Sequence, residues 1–144
     1  MVEEARSRLG SNRSQYKLLA VDAQQIPFHD EQFDLVIANN MLYHVQDIPG
    51  AIREMHRVLK QGGRVCISTM STQHLQEIEH LAVSFDPGLH VLDQTIKWFH
   101  LGNGEELLSS CFSDLQLLRY EDHLLVDEAE PLIEYMISTP MNAR

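Results

Sequence analysis

Three short sets of residues follow apolar stretches of this sequence, and each set could contact a ligand. They are Asp22-Ala23 after residues 16–21, Asn39-Asn40 after residues 33–38, and Ser68-Thr69-Met70 at the end of residues 64–69. A carboxylate that is followed by a free backbone N–H can pair with an amide-like edge, such as the N6 amine and N1 of adenine. Asp22 and Ala23 supply that pair, although an aspartate at this position could instead cap a turn.

A candidate proton acceptor follows the second apolar stretch. His44 could act as a general base, which a reaction needs only where its acceptor must lose a proton. The same residue could instead hold the loop before the next helix. The eight histidines show neither H-x-x-x-H nor H-E-x-x-H spacing, so the sequence predicts no metal site. Cys66 and Cys111 lack C-x-x-C spacing, and we expect them to be buried thiols.

Alternating strands and helices are expected to position these residues. Apolar stretches predict strands over residues 16–21, 33–38, 64–69 and 115–120, and an extended piece over 124–126. Helical spacing predicts helices over residues 1–9, 74–83, 104–112 and 128–137, with weaker helical character over 92–98. Asp47 and Pro49 indicate the start of a further helix, which Gly62-Gly63 would end.

The predicted strands are apolar throughout and do not alternate between apolar and polar residues. This pattern predicts an α/β fold with a parallel sheet that is covered on both faces. In such a sheet, ligands bind outside the carboxyl ends of the strands, where the three sets of residues lie.

Composition excludes several classes of protein. The 144 residues carry 11 Lys+Arg against 21 Asp+Glu, a formal net charge of −10, and 44% of them are hydrophobic. This composition fits one globular domain at most and excludes disordered and collagen-like chains. No apolar run approaches the roughly 20 residues of a membrane helix, and we expect a cytoplasmic protein. Because no basic cluster offsets the acidic balance, we expect no nucleic acid or membrane partner.

Four motifs in the first half of the chain occur in a fixed order. They are Val21-Asp22-Ala23-x-x-Ile26-Pro27-Phe28, Phe33-Asp34-Leu35-Val36-Ile37, Leu42-Tyr43-His44-Val45-x-Asp47, and Glu54-Met55-x-Arg57-Val58-Leu59-Lys60-x-Gly62-Gly63. As a set, they resemble the class I S-adenosylmethionine-dependent methyltransferases, most closely the group acting on small molecules and quinone precursors. The resemblance implies a Rossmann-like methyltransferase sheet, S-adenosylmethionine as the cofactor, and methyl transfer to a small-molecule acceptor.

The resemblance also implies a role for each residue at the strand ends. Asp22 would accept a hydrogen bond from the adenine amine, and the Ala23 N–H would face the adenine ring. The backbone carbonyl of Asn39 would contact the methionyl ammonium. The pocket for methyl transfer would be bordered by Asn40, Tyr43 and His44. The last of these is the catalytic candidate.

Two cofactor-binding elements of this family have no match in the sequence. No G-x-G precedes Asp22, where the family has a glycine-rich loop, and the acidic residue that ends the family's second strand is also missing. The resemblance therefore implies an incomplete sheet that lacks the first two strands and the last strand. We expect residues 1–144 to form a single partial domain, with cofactor-side motifs in 1–70, a helical cap in 71–99 and a helix-strand-helix in 100–144.

In the family's sheet, the two missing strands lie between the counterparts of residues 16–21 and residues 33–38. Their loss would leave two open apolar edges. We expect residues 16–21 either to move beside residues 33–38 or to pair with another copy, in a homodimer or strand-exchanged oligomer. This also raises a second functional hypothesis. The chain would be a non-catalytic truncated fragment, or an interaction subunit completed by another chain that carries the glycine-rich loop.

Overall fold

The computed structural model describes residues 2–9, 16–92, 94–123 and 125–138, and it confirms the expected α/β class. The helices are α1 (Val2–Leu9), α2 (Ile48–Val58), α3 (Gln76–Phe85), α4 (Gly104–Leu108) and α5 (Ala129–Ser138), and the strands are β1 (Phe33–Asn39) and β2 (Leu59–Ser68). Two short 3-10 helices span Leu42–His44 and Gln94–Trp98. Within the described ranges, no helix is both long and apolar enough to cross a bilayer.

The central unit of the fold is β1–α2–β2. The two strands run parallel, in a register that pairs Leu35 with Arg64 and Asn39 with Ser68. As predicted, Asp47 caps α2, because its carboxylate accepts a hydrogen bond from the Gly50 N–H at 2.9 Å. The predicted end of this helix at Gly62-Gly63 is wrong. The helix ends at Val58, since Leu59 takes an extended conformation and pairs with Phe33 at the start of β2.

The hydrophobic core lies between α2 and one face of the sheet. Its buried members are Ala38, Leu42, Tyr43, Ile48, Ala51, Ile52, Met55 and Phe99. Val36 of β1 and the pair Val65 and Ile67 of β2 pack against this cluster from the sheet. Phe99 is only 1% exposed, whereas its neighbour Trp98 is 60% exposed, so Phe99 is the aromatic residue that anchors the cap segment.

The opposite face of the sheet is uncovered in the part of the chain that the structure describes. Leu35 is 48% and Ile37 67% exposed, and their register partners Arg64 and Cys66 are exposed as well. The expectation of a sheet covered on both faces is therefore wrong for the described residues. The expectation that Cys66 is buried is also wrong, because Cys66 lies on this uncovered face. Cys111 is half-buried. We call Leu35, Ile37, Arg64 and Cys66 the open face.

Two of the predicted strands do not form. Residues 16–21 and 115–120 lie outside both strands of the sheet, and they expose large apolar side chains such as Leu118 and Tyr120. A strand needs a neighbour to receive its backbone hydrogen bonds, and neither segment lies beside β1 or β2. In place of the helix-strand-helix expected over residues 100–144, the described residues contain α4, an irregular segment and α5. Of the extended piece predicted over 124–126, residue 124 is outside the described residues, and the other two belong to no strand.

The predicted helices differ from the observed ones mainly at their ends. The helix predicted over 74–83 is α3, which begins and ends two residues later, and the one predicted over 128–137 is α5. The weak helical pattern over 92–98 corresponds to a 3-10 helix, and the helix over 104–112 ends early, at Leu108.

The guanidinium group of Arg57 holds the loop before β1 against α2. Its Nε and Nη2 donate hydrogen bonds to the Glu54 carboxylate at 2.7 and 2.8 Å. Nη2 also donates to the Ile26 carbonyl at 2.9 Å. Nη1 donates to the Phe28 carbonyl at 2.9 Å and to Asp30 at 2.7 Å. All five N–H donors of the arginine are therefore used. We call this set of contacts the Arg57 clamp.

We expect Arg57→Ala to lower the Tm by about 5–10 °C, because it leaves two loop carbonyls and two carboxylates without their donor. Arg57→Lys should restore only part of this loss, since a lysine has three donors and no planar fork. Arg53→Ala on the same helix is the control, because Arg53 makes only an exposed 3.6 Å contact with Asp47 and should change the Tm by less than about 2 °C. Equal losses in the Arg57→Ala and Arg53→Ala variants, measured by calorimetry, would contradict the clamp.

The clamp also predicts a pH dependence of stability. The hydrogen bonds from Arg57, helped by the Ile26 N–H, lower the pKa of Glu54 from 4.5 to about 2. A carboxyl whose pKa is lower in the folded state stabilises it fully above pH 4.5, and that contribution is lost as the pH falls toward 2. Between these values the Tm of the wild type should therefore fall more steeply than that of Glu54→Gln. The exposed Glu105→Gln variant should keep the wild-type slope, and a Glu54→Gln slope as steep as the wild type would refute the assignment.

Candidate functional site

Asp22 forms a tight turn with the residues that follow it. Its Oδ1 accepts hydrogen bonds from the backbone N–H of Gln24 at 2.8 Å and from the Gln24 side-chain amide at 3.1 Å. Its backbone carbonyl accepts from the Gln25 N–H at 3.1 Å. The two hydrogen bonds from Gln24 to the carboxylate, that of the backbone N–H first, lower the pKa of the Asp22 carboxyl. The carboxylate stays exposed, so Asp22 caps a turn, as the alternative interpretation expects, while its surface remains open to a ligand.

Gln24 connects this turn to the start of α2. Its Oε1 accepts a hydrogen bond from the Asp47 N–H at 2.8 Å, and Asp47 is the residue that caps the helix. Ala23 and Ile26 pack against the core cluster from the same turn. A groove of about 580 Å³ lies alongside and is lined by Ala20, Val21, Asp22, Gln25, Ile26, Pro27, Glu54 and Arg57. The Arg57 clamp thus forms one wall of the groove that contains Asp22.

The carboxyl ends of β1 and β2 meet in a cluster of three polar side chains. The hydroxyl of Ser68 contacts the Asn39 side-chain oxygen, to which it can donate a hydrogen bond. The Asn40 N–H donates to the Ser68 carbonyl and to its hydroxyl, both at 3.1 Å. Asn40 has a φ of 46°, a left-handed conformation that asparagine adopts more readily than most residues. The cluster fixes the direction in which the chain leaves β1.

Tyr43 and His44 lie on the 3-10 helix that follows this cluster. Tyr43 is 7% exposed and belongs to the core, and its ring centroid is 4.4 Å from that of His44. His44 is exposed, and its Nδ1 lies 3.5 Å from the hydroxyl of Thr95 in the cap segment. His44 therefore contacts the cap, as the loop-holding interpretation expects, and its imidazole is also exposed, as a general base requires.

The structure brings some of the predicted site residues into direct contact and links others only through their neighbours. Asn39 and Asn40 meet through Ser68, and Tyr43 and His44 are adjacent. Asp22 is linked to the start of α2 through Gln24, as described above. The assigned roles of Asp22, Ala23, Asn39, Asn40, Tyr43 and His44 stay predictions.

Sequence reasoning gave no role to Gln24 or Arg57 and gave Ser68 only a possible contact with a ligand, although each of the three positions a candidate residue. The signal for Gln24 is its place two residues after an aspartate, which is the spacing of an Asx-turn. The signal for Ser68 is its position at the end of the strand that neighbours Asn39. No local pattern reveals the contacts of Arg57, because its partners in the loop are 27 to 31 residues away.

We expect Gln24→Ala to raise the pKa of the Asp22 carboxyl partway toward 3.8, because the variant removes the side-chain amide and keeps the backbone N–H. A ¹³C NMR titration of the side-chain carboxyl measures this change directly. Gln25→Ala is the matched control, since Gln25 contacts Asp22 only through its backbone. An unchanged Asp22 titration in Gln24→Ala would show that the amide does not reach the carboxylate.

Comparison with known proteins identifies the first half of the chain. Residues 1–67 match the family described as a methyltransferase domain. The chain is 35% identical over 77 residues to a demethylmenaquinone methyltransferase of Thermobifida fusca, covering 54% of this chain and 33% of that protein. It is 29% identical over 80 residues to a malonyl-[acyl-carrier protein] O-methyltransferase of Pseudescherichia vulneris, covering 56% of this chain and 32% of that protein.

The fold resembles that of a solved structure as well. The crystal structure of the PH0226 protein from Pyrococcus horikoshii matches with a TM-score of 0.50 and 27% identity, over 61% of this chain and 39% of that chain. The chain spans about a third of the length of the two curated relatives. With three of the four motifs in order on the β1–α2–β2 unit and the first in the turn before it, these matches support a class I S-adenosylmethionine-dependent methyltransferase domain in residues 1–67.

Proposed function

We propose that this chain takes part in methyl transfer from S-adenosylmethionine to a small-molecule acceptor. The observation that carries the proposal is the family match over residues 1–67, which contain all the residues assigned to the cofactor and the acceptor. The relatives named above act on demethylmenaquinone and on malonyl-[acyl-carrier protein]. The net charge of −10 also suits a small-molecule acceptor better than a nucleic acid.

Asp22 and Ala23 fit the adenine edge of the cofactor. The Asp22 carboxylate is exposed at the groove and ionised at neutral pH, and its pKa is lowered, so it can accept from an amine. Ala23 is half-buried against the core, which fixes its backbone N–H relative to the carboxylate. Binding would require the Gln24 side-chain amide to share or release the carboxylate oxygens.

Asn39 and Asn40 would face the reacting end of the cofactor. They lie at the carboxyl end of β1, where ligands of open α/β sheets bind, and Ser68 holds both of them. The bound cofactor supplies a methyl group that is already activated on sulfur, so the protein contributes chiefly orientation of the acceptor. His44 would take a proton where the acceptor must lose one, and its exposed ring beside the cap suits that task.

A second candidate function is an interaction subunit that another chain completes. It is favoured by the open face, where two apolar side chains of β1 are about half or more exposed. Parallel sheets are normally covered on both faces, so such a surface indicates a missing neighbour. The two candidates differ in one measurable property, which is cofactor binding by this chain alone.

We expect S-adenosylhomocysteine, the demethylated product, to bind this chain with a Kd of about 0.1–1 mM. Binding should be this weak because the chain shows no match to the glycine-rich loop or the ribose-binding acidic residue. Titration of ¹⁵N-labelled protein should shift the backbone signals of Ala23, Gln24 and Asn40 in a saturable way. Asp22→Ala should weaken binding at least about fivefold, because it removes the only acceptor assigned to the adenine amine.

Asp114→Ala is the matched control, since Asp114 is an exposed carboxylate in the turn after α4 and should leave the Kd unchanged. A folded spectrum with no shifts at 5 mM ligand, about five times the highest expected Kd, would reject cofactor binding and favour the interaction subunit. Equal Kd values for Asp22→Ala and the wild type would reject the role of Asp22.

A further inference from the structure

The side-chain amide of Gln24 lies against the carboxylate that is assigned to adenine. Its Nε2 is 3.1 Å from Oδ1 and 3.2 Å from Oδ2 of Asp22, so this one NH₂ group contacts both carboxylate oxygens. An amide NH₂ is a planar, uncharged donor attached to an sp² carbon, and the N6 amine of adenine is a donor of the same kind. Gln24 therefore presents to Asp22 the type of donor that a bound adenine would present.

The Asp22 carboxylate has little accepting capacity left while this contact is in place. The oxygens of an ionised carboxylate offer about four lone-pair sites in all. The backbone N–H of Gln24 uses a site on Oδ1 at 2.8 Å, and Nε2 contacts both oxygens. Both sites of Oδ1 are thereby used, and one site of Oδ2 is left. An adenine amine must share that oxygen with Gln24 or displace the amide.

Gln24 is held in this place from the other end of its amide. Its Oε1 accepts a hydrogen bond from the Asp47 N–H at 2.8 Å, and the residue is half-buried. Because the amide group is planar, a bond that fixes its oxygen also restricts the direction of its NH₂ group. The entropy lost in ordering this long side chain is therefore offset by two contacts rather than one. A glutamine without such a second anchor would leave the carboxylate to water for much of the time.

The Asp22 turn does not need the Gln24 side chain to keep its shape. The Gln25 N–H donates to the Asp22 carbonyl at 3.1 Å, and the Gln24 backbone N–H donates to Oδ1. Both bonds are independent of the Gln24 amide, which can leave the carboxylate while the turn stays in place. Asp22 itself lines the groove with its carboxylate exposed, so a ligand can reach it from there.

We propose that Gln24 is an internal competitor for the adenine amine, which occupies the Asp22 carboxylate until an adenine ring displaces it. Displacement breaks the contacts between Nε2 and the carboxylate, and this cost lowers the affinity for a ligand that needs Asp22. A ligand without the amine gains nothing from displacing Gln24, so its affinity is unaffected. The inference rests on the proposed binding of the adenine edge by Asp22, and it names the residue that limits that affinity.

Two nucleosides that differ only at the amine test this competition. Adenosine carries the N6 amine, and purine riboside carries a hydrogen atom in its place. The wild-type Kd for adenosine should be about 1–5 mM, weaker than for S-adenosylhomocysteine, because adenosine lacks the amino-acid part. Gln24→Ala should bind adenosine about threefold to tenfold more tightly, since one hydrogen bond no longer has to be broken. The Kd for purine riboside should be the same in both proteins.

Titrations of ¹⁵N-labelled protein up to about 10 mM nucleoside, twice the highest expected Kd, measure these values. In the wild type, the side-chain NH₂ signals of Gln24 should also shift on binding adenosine and stay in place with purine riboside. Gln116→Ala is the matched control, because Gln116 is an exposed glutamine that does not line the groove, and it should keep both wild-type Kd values.

Several outcomes would overturn the competitor. They are an adenosine Kd for Gln24→Ala equal to or above that of the wild type, an equal gain for purine riboside, and no saturable adenosine shift in Gln24→Ala. Each of these leaves the proposed function standing where S-adenosylhomocysteine still binds the wild type. Loss of S-adenosylhomocysteine binding in every variant, the wild type included, would reject the proposed function and this inference with it.

Discussion

The Arg57 clamp is the contact on which the rest of the structure depends. It uses all five donors of one guanidinium, on two loop carbonyls and on the carboxylates of Glu54 and Asp30. Arg57, like any arginine, is charged at every physiological pH, and hydrogen bonds to Glu54 and Asp30 raise its pKa further. Because the clamped loop leads directly into β1, the clamp sets where the strand starts and which face meets α2. The position of the Asp22 turn follows from the same loop.

The candidate site depends on this scaffold in two ways. The Gln24–Asp47 hydrogen bond joins the Asp22 turn to the start of α2. At the carboxyl end of the sheet, the parallel register brings Ser68 opposite Asn39 and so holds the exit from β1. Asn39 and Asn40 are thus held by a polar neighbour on a different element, Ser68 of β2. Such support is what a site needs when its task is to orient a reactant rather than to react covalently.

Sequence patterns predicted the β1–α2–β2 unit well because its signals are local. The cap at Asp47, the apolar face of α2 and the apolar run of β1 each depend on residues within a few positions of one another. The same reasoning failed for residues 16–21 and 115–120, whose apolar composition also predicts strands. An apolar composition indicates that a segment would be stable in a sheet, but a strand forms only where a neighbouring strand supplies backbone hydrogen bonds. The exposure of Cys66 has the same cause, because its burial needed a layer that does not cover the described residues.

The sequence by itself determined the α/β class, the order of the four motifs and therefore the resemblance to the methyltransferases, because these depend on periodicity and spacing along the chain. It also identified Asp22, Asn39 and His44 as candidates by their places after apolar stretches. The tertiary structure alone decided that Arg57 joins α2 to the loop, that Ser68 holds Asn39 and Asn40, and that one face of the sheet is open. The contacts of Arg57 and Ser68 join residues about 27 to 31 positions apart, and the open face lacks a covering layer among the described residues. Hydrogen bonds at such separations are set by packing, which no local pattern records.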